Sequence, residues 1–291
     1  MRKTALLVFL LCGSLLAPAE EGQHGSLFII GGGKRSGGMM EEFVRLAGGP
    51  AHARIVVLPM ASGVPDTAGI LQVEEFRNLG ARAEWIQFTH EQALEPASGS
   101  RLDSATGIYF TGGDQRRVTR IVLRTPLYQK LHELHRRGVV IGGTSAGAAV
   151  MSEMMLTGDE RLNRDSANAY AFIKQENVVT AQGLGFLASV IVDQHFIRRK
   201  RHNRLLSLVL ENPALLGIGI DESTAIIVEP DSTFRVIGDR SVMVLDAGAA
   251  AGIRANASGN MGVTGVQLHL LLPGDRFNLR TRSLISGEKR P

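Results

Sequence analysis

The 291-residue sequence has few aromatic side chains and almost no excess charge of either sign. Aromatic residues make up 5% of the chain, which argues against the stacking platforms that bind single-stranded nucleic acid. The 32 lysines and arginines nearly balance the 28 acidic residues, whereas DNA-binding chains usually carry a denser basic field. The composition therefore favours classes of protein other than nucleic-acid binders.

The single cysteine, Cys12, lies in an N-terminal segment that resembles a secretory signal. Two basic residues precede a short apolar run over 5–16, and the small residues 17–19 fit a cleavage site. The run is too short to anchor the chain across a bilayer. We therefore predict a signal peptide over 1–19 and an exported protein, periplasmic or extracellular, without membrane contact. The mature chain would lack thiols for disulfides, metal sites or a cysteine nucleophile.

The rest of the chain lacks repeats, low-complexity tracts and linkers, which predicts one domain over 25–285. Short apolar runs alternate with amphipathic segments, a pattern typical of an α/β fold with a mostly parallel central sheet and helices on both faces. From about residue 216 strand signals prevail, which predicts an antiparallel, β-rich C-terminal part at one sheet edge. Earlier strand signals lie at 26–33, 53–63, 84–88, 107–114 and 139–143, and helix signals at 37–49, 67–81 and 117–138, the last long enough for one helix or two.

The stretch "GGTSAGAA" at 142–149 places Ser145 between a predicted strand and a predicted helix. Gly143 to Gly147 match G-x-S-x-G, and the strand-to-helix context is the one in which this motif forms a nucleophile elbow. Small neighbours allow the close backbone approach that such a sharp turn needs. The alternative is a packing turn without chemistry.

Phosphate and dinucleotide binding fit the glycine-rich stretches less well. "GGTSAGAA" lacks the P-loop lysine, and "GGGKRSGG" at 31–38 matches neither the P-loop spacing nor G-x-G-x-x-G.

A serine needs a nearby base to become nucleophilic near neutral pH, and His195 is the best candidate among the eight histidines. It follows the apolar strand "ASVIVDQ", so we expect it at the same carboxyl edge of the sheet as Ser145. His202 is the runner-up, but surrounding arginines would disfavour its protonated form. Plainer interpretations suit three others: a solvated helix face for His132 and His135, and a satisfied strand position for His269.

A carboxylate that orients the imidazole would complete the site. "GIGIDESTAIIV" offers Asp221 and Glu222 at the end of another strand, and their spacing does not decide between them.

Four segments together resemble the cyanophycinase branch of the S51 serine peptidases. They occur in the family's order and span nearly the whole mature chain: "FTGGDQ" (110–115), "GGTSAGA" (142–148), "DQHF" with its following arginines (193–204) and "GIDESTA" (219–225). The resemblance implies a flavodoxin-like α/β fold, with Ser145 as nucleophile, His195 as base and Glu222 as the orienting carboxylate. The order Ser, His, Glu differs from that of the α/β-hydrolases.

The resemblance also implies the remaining site residues and the substrate. The backbone N–H groups of Gly113 and Ala146 would stabilise the oxyanion. The implied substrate contacts are Gln115, Asp193, Gln194, Arg199, Arg201 and Arg204. The implied substrate is cyanophycin, a polyaspartate carrying an arginine on each side-chain carboxylate, and the product is the β-aspartyl-arginine dipeptide, released from the C-terminal end. Free α-carboxylates on such a polymer would suit the basic cluster at 198–204, whose alternative interpretation is a solvated helix face.

No metal or organic cofactor is implied, and a homodimer is expected from the resemblance alone. Three alternatives remain open: a related S51 peptidase acting on short aspartyl or isoaspartyl peptides, a non-catalytic polymer-binding protein, and a nucleic-acid binder using the basic cluster. The polar segment 152–186 matches no motif of the family.

Overall fold

The computed structural model describes residues 24–162 and 171–285, so the predicted signal peptide and Cys12 lie outside the described residues. In the first half of the chain, strands alternate with helices: β1 (Leu27–Ile30), α1 (Gly37–Leu46), β2 (Arg54–Leu58), α2 (Pro65–Asn78), β3 (Arg82–Trp85), α3 (His90–Leu94), β4 (Gly107–Phe110), α4 (Gln115–Val122), α5 (Pro126–Arg136), β5 (Val140–Thr144) and α6 (Ala146–Ala149). A 3-10 turn, Pro96–Leu102, connects α3 to β4.

The second half is dominated by strands, as the sequence predicts. Its elements are β6 (Met154–Glu160), β7 (Val178–Gln182), β8 (Val190–Gln194), α7 (His202–Glu211), β9 (Leu216–Ile220), β10 (Thr224–Val228), β11 (Thr233–Gly238), β12 (Val242–Asp246), β13 (Ala251–Ala255), β14 (Met261–Thr264), β15 (Gln267–Leu271), β16 (Arg276–Asn278) and β17 (Ser283–Ile285).

Two boundaries refine the predicted elements. The helical segment 117–138 forms two helices, because Pro126 begins α5 and the Thr125 side chain caps it by accepting a hydrogen bond from the Tyr128 N–H. The third strand begins at Arg82 instead of residue 84. It is the edge strand of its sheet, where the charged side chains of Arg82 and Glu84 are exposed on either side of the small buried Ala83, so its first residues give a weak apolar signal.

A nine-stranded sheet forms the centre of the fold, in the order β17-β16-β11-β10-β1-β5-β4-β2-β3. The five strands from β1 to β3 in this order are parallel, and β10 joins them to the antiparallel strands β11, β16 and β17. Alternate residues of β1 contribute to two separate cores: Phe28 packs with Phe43 and Phe76 of α1 and α2, while Ile29 belongs to the core that includes Leu131 of α5. The α/β architecture with an antiparallel C-terminal part is therefore confirmed.

A second sheet was not predicted. Its order is β15-β12-β9-β8, with β8 and β9 parallel. All five residues of β8 are buried, and a continuous apolar run does not reveal which of two sheets a strand joins. Helix α7 lies against β8 and β9. Among the helices at 24–162 and 171–285, none has the length and apolar character needed to span a membrane.

Candidate active site

Ser145 occupies the sharp turn between β5 and α6. Its backbone angles are φ 55° and ψ −108°, a conformation rare for a residue with a side chain. A Cβ at Gly143 would lie 2.4 Å from the Gly147 carbonyl oxygen, and one at Gly147 would lie 2.3 Å from the Phe110 carbonyl oxygen. The turn therefore exists because its flanking glycines let three backbone segments touch.

His195 meets this serine from the second sheet. Its Nε2 atom lies 2.9 Å from the Ser145 Oγ atom. The residue directly follows β8, and its backbone also adopts a positive φ of 49°. The Gly31 carbonyl accepts the His195 backbone N–H at 2.7 Å, which ties this turn to the end of β1. The predicted base and nucleophile are thus brought together, although their strands belong to different sheets.

Glu222 is the carboxylate that contacts the imidazole. Its Oε1 atom lies 2.6 Å from His195 Nδ1. Because a carboxylate accepts, Nδ1 carries the proton and Nε2 is left to accept from the serine hydroxyl. Asp221 instead accepts the Arg198 backbone N–H at 2.9 Å and an Arg240 Nη1 hydrogen bond at 3.3 Å. The choice that the sequence left open falls on Glu222.

The surroundings lower the pKa of His195. Burial contributes most, and the positive charges of Arg199 and Arg201 act in the same direction, whereas the hydrogen bond to Glu222 opposes them. A lowered pKa keeps the imidazole neutral near pH 7, which is the form that can accept the hydroxyl proton.

The glycine-rich loop 31–33 forms a close wall against the imidazole and the carboxylate. Gly32 has φ +105°, and a Cβ there would lie 2.4 Å from His195 Cε1. A Cβ at Gly33 would lie 2.7 Å from the Glu222 Cβ. Sequence reasoning excluded a phosphate loop here but missed this role. The available signal was three glycines at the carboxyl end of the first strand, where open α/β sheets place their ligands.

Of the two predicted oxyanion donors, Ala146 directly follows the nucleophile and Gly113 is one residue from a close approach to it. Ala146 is the first residue of α6, where N–H groups have no partner within the helix. Gly113 follows Gly112, whose added Cβ would lie 3.5 Å from the Ser145 Cβ. Gly113 itself has φ +142° and packs against the Ala61 carbonyl, so a side chain would not fit. Their role in stabilising an oxyanion stays a prediction.

The predicted substrate contacts differ in exposure. Arg199 is exposed. Gln115 is buried, and its Nε2 donates to the carbonyls of Leu156 and Thr157 at 2.7 and 2.8 Å. Arg201 Nη1 donates to both the carbonyl and the Oε1 atom of Gln194 at 2.6 Å. Arg199 therefore has the most accessible side chain of this group.

Asp193 and Arg204 face each other below the turn. Their side chains are 0% and 1% exposed, and Arg204 Nε lies 2.6 Å from Asp193 Oδ2, with a second contact between Nη2 and Oδ1. These atoms are not at the surface of the site. Because both side chains are buried, neither is accessible for the substrate contact that the resemblance implies.

The predicted surroundings of three histidines are wrong. His132 and His135 are not on a solvated face: His132 stacks on Phe186 and its Nε2 contacts the Leu184 carbonyl at 2.8 Å, and burial lowers the pKa of His135 to about 4. The reason is that the loop carrying Phe186 covers this side of α5. His269 is in strand β15, but its buried Nε2 has no hydrogen-bond partner among the described residues.

His202, the runner-up base, packs against Phe196 with 4.9 Å between ring centroids, away from the serine contact. Within the described ranges, no group of three or more His, Cys, Asp or Glu side chains is arranged to hold a metal ion.

A hydroxyl, an imidazole and a carboxylate joined in one hydrogen-bonded series define the site of a serine-type hydrolase. The family model for peptidase family S51 matches residues 27–236. The chain therefore belongs to peptidase family S51 and is a serine-type peptidase.

Curated relatives agree with this assignment, and a solved structure shares the fold. The chain is 36% identical over 274 residues to a cyanophycinase of Synechococcus elongatus, covering 91% of this chain and 82% of the relative. It is 34% identical over 271 residues to a cyanophycinase of Geminocystis herdmanii, covering 90% and 96%. A peptidase from an acI-B1 actinobacterium shares the fold, with a TM-score of 0.66 and 21% identity over 89% of this chain and 98% of that one.

Proposed function

We propose that this chain is an exported peptidase that hydrolyses cyanophycin, multi-L-arginyl-poly-L-aspartate, to β-aspartyl-arginine dipeptides from the C-terminal end. The observation that supports this substrate is the similarity to proteins named cyanophycinase, which extends over at least 82% of both chains in the two comparisons given above. The hydrogen-bonded series of Ser145, His195 and Glu222 supports the chemistry.

In the first half of the proposed reaction, Ser145 Oγ attacks the scissile carbonyl carbon. His195 Nε2 takes the hydroxyl proton, and the N–H groups of Gly113 and Ala146 stabilise the negative charge on the carbonyl oxygen. His195 then gives its proton to the leaving amine as the carbon–nitrogen bond breaks. The product of this half is an ester between Ser145 and the acyl part of the substrate.

In the second half, His195 takes a proton from a water molecule that attacks the ester. Collapse of the second tetrahedral species returns that proton to Ser145 Oγ and releases the acid. Throughout, Glu222 holds the Nδ1 proton and stabilises the imidazolium that forms in each half. Removing this carboxylate would leave the imidazole with the wrong tautomer or orientation.

Arg199 is the side chain that we assign to substrate carboxylates. It is exposed and close enough to His195 to lower the pKa of the imidazole. A guanidinium binds a carboxylate through two parallel hydrogen bonds, and cyanophycin carries a free α-carboxylate on every arginine. Gln194 and Arg201 would complete this side of the cleft as one hydrogen-bonded unit.

Export and a homodimer belong to the same proposal. Export is supported by the basic start, the apolar run and the small-residue cleavage site at 1–19. It is tested by locating the protein in fractionated cells and by determining its mature N-terminus.

The deciding experiment is incubation of the purified protein with cyanophycin and mass analysis of the soluble products. We expect β-aspartyl-arginine dipeptide, and none with Ser145→Ala. Polymer that stays intact, or free arginine without dipeptide, would contradict the proposal. Faster cleavage of short aspartyl or isoaspartyl dipeptides than of the polymer would instead favour the related S51 activity.

A further inference from the structure

The turn that carries the catalytic base needs support, because its backbone is unfavourable by itself. His195 has φ 49°, in the left-handed region that residues with side chains rarely adopt. Such a conformation persists only where neighbouring groups hold it. The direction in which the imidazole points depends on this turn.

Asp193 and Arg204 form the most deeply buried charged contact at this turn. Asp193 is the fourth residue of β8, and Arg204 is on the first turns of α7. The carboxylate accepts from Arg204 at both of its oxygens, and Oδ1 also accepts the backbone N–H of Gln194 at 2.7 Å. The side chain of Asp193 thus joins helix α7 directly to the residue before the catalytic histidine.

The hydrogen bonds on either side leave little freedom between 193 and 196. Arg201 Nη1 donates to the Gln194 carbonyl, His195 N–H donates to the Gly31 carbonyl at 2.7 Å, and Phe196 N–H donates to the Ile220 carbonyl at 3.2 Å. The Asp193 carboxylate makes the contacts between charged side chains in this set: it is bidentate with Arg204, and its Oδ1 atom also lies 3.7 Å from Arg201 Nη1.

A buried ion pair is a poor way to increase stability, because removing two charges from water offsets most of their attraction. Well-packed apolar residues would stabilise the same space at least as well. What the pair provides and apolar residues do not is a fixed direction, since a bidentate guanidinium–carboxylate contact sets the relative orientation of two elements.

We infer that Asp193 and Arg204 are positioning residues: their buried ion pair holds the left-handed turn that points the His195 imidazole at Ser145. This role differs from the substrate contact that the family resemblance implies. A substrate contact would affect recognition of the polymer, whereas a positioning pair affects the reactivity of Ser145 toward any electrophile.

A fluorophosphonate probe separates these roles without using the peptide substrate. Ser145 Oγ forms a bond to phosphorus, fluoride leaves, and His195 takes the hydroxyl proton and passes it to solvent. The probe carries no aspartyl or arginyl group, so its second-order rate constant reports the reactivity of Ser145, including its alignment with a neutral imidazole, and not recognition of the polymer.

We expect Arg204→Gln and Asp193→Asn to lower this rate constant on the order of 100-fold, the size of effect produced by a misplacement of about 1 Å. Arg204→Lys keeps the charge, disturbs packing less and loses the bidentate contact, so it should also label slowly. The matched control is Arg198→Gln, an exposed arginine of the same cluster, which should label within about twofold of wild type.

Thermal unfolding of each variant shows whether the labelled protein is folded. Slow labelling by variants that keep the wild-type unfolding midpoint supports the inference. Wild-type labelling by Arg204→Lys, together with a raised KM for peptide substrate, would overturn it in favour of a substrate contact. Because labelling needs no cyanophycin, failure of the proposed substrate leaves this test unaffected.

Discussion

The turns that carry Ser145 and His195 share a positive backbone φ but reach it in different ways. Each has a positive φ, 55° at the serine and 49° at the histidine. The serine turn is made possible by absent side chains, since Gly143 and Gly147 allow backbone segments to touch. The histidine turn, in contrast, is held by two side chains, those of the buried pair Asp193 and Arg204.

This difference explains why one turn is visible in the sequence and the other is not. Small residues on both sides of a serine form a compact local pattern. The support of His195 comes from residues that are eleven positions apart and from a carbonyl at Gly31, so no local pattern records it. A tight turn built from glycine is a local property, whereas one held by an ion pair is a tertiary property.

The largest expected effect is the loss of kcat on removing the Ser145 hydroxyl or the His195 imidazole, which tests whether the two turns act as a unit. Ser145→Ala and His195→Ala should each lower kcat by about a millionfold, and the double variant should lose no more, because neither side chain is useful without the other. Steady-state kinetics on the peptide substrate measures this. Ser100→Ala, an exposed serine far from the triad in the chain, is the control and should keep its activity. Additive losses would mean that the two residues act separately.

A smaller loss of kcat should follow when a methyl group is added at a glycine beside either turn. Gly32→Ala would place a methyl group 2.4 Å from the His195 ring, and Gly147→Ala would place one 2.3 Å from the Phe110 carbonyl oxygen. We expect each to lower kcat by about 100-fold, since the imidazole or the hydroxyl must shift. Gly38→Ala is the matched control, because no atom beyond its chain neighbours and the nearby backbone of its own helix lies within 4 Å of its added methyl group. Wild-type kcat in Gly32→Ala would show that the loop 31–33 does not constrain the base.

The smallest expected effect concerns the charge near the histidine turn. Arg199 lowers the pKa of His195, so Arg199→Gln should raise this pKa. The neutral imidazole is the active form; activity is therefore present above the pKa and lost as the pH falls through it. The acidic limb of the pH profile for fluorophosphonate labelling should move to higher pH. Arg198→Gln should leave the limb in place, and a shift toward lower pH in Arg199→Gln would contradict the assignment.

Much of the fold was predictable because its signals are periodic. The alternating strands and helices before Ser145 follow from apolar spacing, and the antiparallel C-terminal part follows from the run of strand signals after residue 216. The second sheet was not predictable in this way. Strand β8 is buried along its whole length, and a strand of that kind has the same sequence pattern in a central sheet or in a smaller sheet beside it.

The candidate site was predictable where chemistry restricts residue type. Ser145, His195 and Glu222 could be proposed because few residues can act as nucleophile, base and orienting acid. The choice between Asp221 and Glu222 needed the structure, since adjacent residues at a strand end point in different directions. The burial of His132 and His135 was missed because the loop that carries Phe186 is distant in the sequence.

The contacts of the loop 31–33 also bear on when, during synthesis and folding, the active site can form. Its backbone accepts the His195 N–H through Gly31 and the Ser223 N–H through Gly32, so it fastens the earliest strand to residues that are synthesised much later. Until those residues emerge from the ribosome and join it, the hydroxyl at position 145 has no base. We therefore expect full hydrolytic competence only once the strands that carry Ser145, His195 and Glu222 have come together.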